Sequence, residues 1–137
     1  MTISLLNLAV SWGLLILIWL VQTIIYPGFD RIPAGDFAGY HRWYVKRISA
    51  VVTPLMIGEA IISIAWLSSV NDSLLPSVSV FMVVIVWLST LVLQVPIHNH
   101  LKSGKDPAAI RQLVATNWIR TIAWSIKAIV ATIVAVS

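Results

Sequence analysis

The residues most able to do chemistry crowd into one stretch, Gln94 to Trp124, reading QVPIHNHLKSGKDPAAIRQLVATNWIRTIAW. It carries His98, Asn99, His100, Asn117, Arg120 and Trp124 across the end of one apolar segment, a basic turn and the start of another. Imidazoles titrate near neutral pH, so His98, or His41 further up the chain, is a candidate for proton transfer. Arg120 with Asn117 one turn before it suits the orientation of an anionic or carbonyl-bearing ligand, because a guanidinium in an apolar segment needs an acceptor. The competing acceptors for Arg120 are Gln94 and the carbonyls freed near Pro96. His41, Asn117, Arg120 and His98 are the candidate catalytic set.

Three imidazoles, His41, His98 and His100, also suggest a transition metal, and two of them suggest haem iron. His98 and His100 stand two residues apart, roughly 200° round a helix, so both reach one ion only if the helix has ended between them. The workable set is His41 with either of the others, supported by Asn99, Asn117 or Asp36. The plainer alternative has these histidines capping a helix or bonding to lipid headgroups. No cofactor is identified by any ligand motif.

Glu59 and Lys127 are the ionisable residues deepest inside apolar segments. Counting inward from the basic ends of their helices puts both at a similar depth, about 15 Å, and the expectation is a buried ion pair. The alternative is that Glu59 is carried neutral and Lys127 extends its amine toward the surface. A proton path through them has little room for alternating access in four short helices without a broken-helix repeat.

Positioning these groups falls to apolar helices. The 137 residues are 59% hydrophobic and 10% charged, with a mean hydropathy of +0.93, whereas soluble domains carry about 25% charged residues. The expected fold is all-α, an integral membrane up-down-up-down four-helix bundle in one domain, with spans of about residues 3–26, 37–70, 75–101 and 107–136. No basic n-region or small-residue cleavage site marks the first apolar run as a signal peptide. Pro27 and Gly28 should end helix 1, and Asp36 should cap helix 2. Pro54 should kink helix 2. Asn71, Asp72 and Ser73 should form a turn, and Asp106-Pro107 should open helix 4. Polar members line one stripe on each helix: Trp12, Trp19, Gln22 and Tyr26; His41, Tyr44 and Glu59; Trp87, Gln94 and His98; Asn117, Arg120, Trp124 and Lys127.

All nine Lys and Arg lie in or beside the first and third connections, which by the positive-inside rule places both termini outside the cytoplasm and the chain in a cell inner (plasma) membrane. The net charge of +4 then reports orientation and anionic headgroups rather than nucleic acid. Without cysteine, thiolate and disulfide chemistry are excluded. Tyr40, Trp43 and Tyr44 among Arg42, Lys46 and Arg47 resemble an interfacial anchor.

Pro96, Asn99 and Leu101, followed by Asn117 and Arg120 in NWIR, resemble the anthrone-oxygenase-like group of small four-helix membrane proteins. The YPGF around Tyr26, with His41 and Arg47, adds a likeness to uncharacterised bacterial membrane proteins of this size. That group commonly has a Trp one turn before the Asn, where this chain has Leu113 and places Trp118 after Asn117. The resemblance implies a four-helix membrane fold and oxygenation of an apolar aromatic substrate at Asn117, Arg120 and a nearby His. Three function classes follow: a membrane enzyme or binding protein for an apolar small molecule, an accessory subunit of a larger membrane complex or homo-oligomer in the lipid bilayer, and a haem or metal carrier.

Overall fold

The computed structural model describes residues 3–71 and 74–136. All regular structure among them is helical, in four helices each long and apolar enough to cross a membrane: α1 Ile3–Arg31, α2 Ala34–Ser69, α3 Leu74–Leu101 and α4 Pro107–Val136. The turn expected at Asp72 and Ser73 lies outside the described residues. Each helix packs on two others: α1 and α3 both touch α2 and α4. Leu14, Ile18, Val86, Leu113 and Trp124 fill the middle of the core.

Two expectations about helix ends are corrected. Pro27 and Gly28 do not stop α1, which continues to Arg31. A π turn over Val21–Ile25, in which the Tyr26 N–H reaches back to the Val21 carbonyl, widens the helix just before the proline ring needs space. α3 repeats the device, with a π turn over Thr90–Gln94 two residues before Pro96. Proline inside a helix lacks an N–H and crowds the carbonyl of the preceding turn, and a π turn relieves both. The insertion also steers side chains. Eight residues beyond Ile18, Tyr26 would face roughly 80° from the core stripe, and the extra residue takes back roughly 100°, returning Tyr26 to the core.

The second correction concerns α2. Its N-cap is Pro33, whose carbonyl accepts from the N–H groups of Asp36 and Phe37, so Asp36 lies inside the first turn rather than capping it. There its charge still complements the helix dipole. α2 remains helical through Pro54.

The first and third connections lie together at one end of the structure, called here the basic end. Lys105 Nζ donates to the carbonyls of Asp30 (2.6 Å) and Ile32 (2.9 Å), and Arg42 Nη1 donates to the Lys102 carbonyl (2.9 Å). Asp106 caps α4, its Oδ1 accepting from Ala108 N at 2.9 Å and Ala109 N at 3.2 Å, while Oδ2 meets His100 Nε2 at 2.8 Å. These bonds, the one from His100 foremost, hold the Asp106 carboxyl below the usual carboxylate range. A depressed native pKa contributes stability above the unfolded value, and that contribution disappears as pH falls through the native one. Exchange protection of the Ala108 and Ala109 amides, corrected for intrinsic rate, will therefore fall on acidification below the normal Asp range, and Asp106→Ala will remove both the protection and its pH dependence.

Candidate ligand pocket and its polar lattice

The polar residues that reach the core from α1, α3 and α4 form a connected lattice. Gln22, on the π turn of α1, accepts through Oε1 from Asn117 Nδ2 (2.8 Å) and Thr121 Oγ1 (3.0 Å), and donates through Nε2 to the Val114 carbonyl (3.1 Å). Asn117 Oδ1 then receives Arg120 twice, from Nε at 2.9 Å and Nη2 at 2.6 Å. Arg120 also donates to the Tyr26 hydroxyl (3.2 Å) and to Thr90 Oγ1 (3.3 Å). Its guanidinium carbon lies 5.9 Å from the Trp124 ring centroid, and the residue as a whole is 6% exposed.

From Tyr26 the chain of bonds runs toward the basic end. The hydroxyl lies 2.9 Å from His98 Nε2, and His98 Nδ1 lies 3.0 Å from His41 Nε2. His41 is fully buried, stacked on Phe37 with Phe29 edge-on, and its Nδ1 has no partner. The structure thus brings four of the sequence-selected residues, His41, His98, Asn117 and Arg120, onto one hydrogen-bonded path. The connection runs through Tyr26, which touches Arg120 with one side of its hydroxyl and His98 with the other.

The three imidazoles are not gathered at one point. His100 turns away to Asp106, both ring nitrogens of His98 are already engaged, and no group of three potential ligands among His, Cys, Asp and Glu exists among the described residues. His41, His98 and His100 therefore do not converge on one ion, and His98 has no free nitrogen for a haem iron in this arrangement. The reason is the spacing: with α3 still helical at His100, its ring points away from that of His98.

Glu59 and Lys127 meet further from the basic end. Lys127 Nζ is 3.3 Å from Glu59 Oε1, and both side chains are fully buried. Each has further partners: Trp124 Nε1 donates to both Glu59 oxygens (3.1 and 2.9 Å), while Lys127 donates to Asn7 Oδ1 (2.9 Å) and Ser11 Oγ (2.8 Å). Sequence reasoning missed Asn7 and Ser11. Their signal was present, two polar residues four apart in an otherwise apolar run, which places them on one helix face. It also selected Trp12 and Trp19 for the inner stripe of α1. Both are instead largely exposed, with indoles reaching around to Thr132 and Ser125 on α4.

Beside the lattice, between α2 and α3, opens a pocket of about 390 Å³. Its floor is Tyr26, Arg120, Trp124 and Ile18, and its mouth is flanked by Ser49 and Thr53 of α2 and by Leu91 and Val95 of α3. Those four mouth residues are exposed. Two lining residues hold buried polar atoms with no partner, Gln94 Oε1 and Trp87 Nε1. Arg120 is the unusual member of the wall. Among the described residues no carboxylate lies within ion-pair distance of it, so its charge is solvated only by neutral oxygens. Buried cations are ordinarily paired with an anion.

Compared with protein-family models, with curated proteins and with solved structures, the chain matches none.

Proposed function

We propose that the chain is a multi-pass membrane protein, an up-down-up-down bundle with its basic end in the cytoplasm, that binds an apolar small molecule entering sideways between α2 and α3. Membrane insertion is supported by large apolar side chains exposed along all four helices, among them Ile16, Ile24, Ile61, Ile64, Phe81, Leu88, Val92 and Ile129. In water such a surface would aggregate; against acyl chains it costs nothing. The orientation rests on the basic connections.

The observation that carries the binding reading is the Arg120 guanidinium, buried in the pocket wall without a counter-ion. The bonds to Asn117, Tyr26 and Thr90 fix its plane, and the remaining Nη1 hydrogen is available to a ligand oxygen. Apolar walls bury the body of the ligand while a few convergent polar groups orient its head, the usual division in small-molecule sites. Oxygenation of an apolar aromatic substrate, as the resemblance implies, would use this same seat, with a polar group of the substrate on Arg120. The Tyr26–His98–His41 path leads from the Arg120 side of the pocket toward the basic end and stops at the unpartnered Nδ1 of His41.

Native mass spectrometry of protein released from membranes tests the reading. Wild type is expected to retain a bound small amphiphile, and Thr53→Phe, which fills the mouth from an exposed position, is expected to lose it. An adduct unchanged by Thr53→Phe would defeat the proposal.

A further inference from the structure

Trp87 stands between two cavities. Further from the basic end along the same α2/α3 seam lies a second cavity of about 340 Å³, walled by Ser63, Ile64, Val83 and Leu88, with Trp87 common to both. Its walls are almost wholly apolar, whereas the guanidinium, the tyrosine hydroxyls and Gln94 all belong to the first. Polar side chains thus belong to the first of two cavities that follow one another along the seam. From Thr90, which touches Arg120, to Val80 in the second cavity, α3 rises roughly 15 Å.

We propose that the two cavities together hold a single-chain amphiphilic acid of the long-chain fatty acid class. Its carboxylate sits on Arg120, and its tail passes Trp87 into the second cavity. The inference rests on the pocket reading above and adds the charge and shape of the occupant. Charge selects the head: Arg120 has neutral partners only, and a carboxylate supplies the missing counter-ion, one of its oxygens accepting the free Nη1 hydrogen. Shape selects the tail, because two small, mostly apolar cavities in line along the α2/α3 seam, each edged by exposed side chains, suit one aliphatic chain from the surrounding bilayer.

The test uses the full chain in phosphatidylcholine nanodiscs, with dibromostearate and its methyl ester as probes, since bromine quenches nearby tryptophan and both Trp87 and Trp124 line the first cavity. Saturable quenching by dibromostearate is expected, with the methyl ester about tenfold or more weaker. Arg120→Gln should weaken the acid to the level of the ester, while Arg120→Lys should keep part of the preference. Val84→Phe, at the exposed edge of the second cavity, should weaken dibromostearate and leave competition by octanoate unchanged.

Equal binding of acid and ester, both lost in Thr53→Phe, would overturn the acid and leave the pocket reading standing. Quenching indifferent to Thr53→Phe would overturn both. Displacement of dibromostearate by phosphatidylglycerol at equal concentration would assign the cavities to an anionic phospholipid and overturn the single-chain occupant. Should Arg120→Gln not fold, the acid-to-ester ratio in wild type and in Arg120→Lys decides.

Discussion

Lys127→Met will destabilise the protein by about 3–5 kcal/mol, and adding Glu59→Gln to it will restore part of that loss, because the single change strands a buried carboxylate and the second removes the charge. Lys127 Nζ stands 3.3 Å from Glu59 with both side chains inaccessible, so neither ion has water to fall back on. The polar partners make the pair tolerable without replacing it. Trp124 donates one N–H to Glu59, and Asn7 and Ser11 accept from Lys127, but none carries a compensating charge. After Lys127→Met the carboxylate retains only the indole, and Asn7 Oδ1 and Ser11 Oγ lose their donor. Equilibrium unfolding in mixed micelles reads the double-mutant cycle. Coupling comparable to the single effects is expected, and additive losses would show that the two ions are handled separately.

That the two ions lie at matching depth was readable from residue counting, since a regular helix converts position into height. The neighbours supplied by α1 were less readable. A stripe drawn at constant pitch through Trp12, Trp19, Gln22 and Tyr26 mixes residues from the two sides of a π turn, and only the lower half, Gln22 and Tyr26, faces inward. Pro27, expected to end the helix, is the mark of that turn. In the same way the basic end was legible from Lys and Arg placement, whereas the Tyr26–His98–His41 path was not, because it joins three helices through hydrogen bonds that no spacing encodes. The pocket was invisible for a related reason. Its walls, such as Leu91 and Val95, read as ordinary apolar helix, and only the packing of α2 beside α3 turns them into a mouth.

Asn117→Leu is expected to cost about 3 kcal/mol while changing side-chain volume little, because it deletes the acceptor that holds Arg120. Asn117 Oδ1 receives two N–H groups of the guanidinium, at 2.9 and 2.6 Å, and Asn117 Nδ2 satisfies Gln22. Hydrogen bonds to a charged group are each worth about 1.5–3 kcal/mol, and a buried donor left unmade bears its own desolvation cost. Leu113 and Trp124, packed on the same face of α4, offer no replacement acceptor to Arg120. Asn117→Asp separates structure from ligand. It keeps an acceptor at the same place and gives the guanidinium a permanent counter-ion, while Gln22 presents Nε2 to the new carboxylate only by giving up its bond to the Val114 carbonyl. Stability within about 1 kcal/mol of wild type is expected for Asn117→Asp, from compensating gain at Arg120 and rearrangement at Gln22. Dibromostearate binding should fall together with the charge that attracts it. Thermal unfolding in detergent checks the first pair of outcomes: a transition for Asn117→Leu indistinguishable from wild type would mean that Arg120 finds its acceptor elsewhere. Undiminished acid binding by a folded Asn117→Asp would mean that the guanidinium charge does not select the ligand.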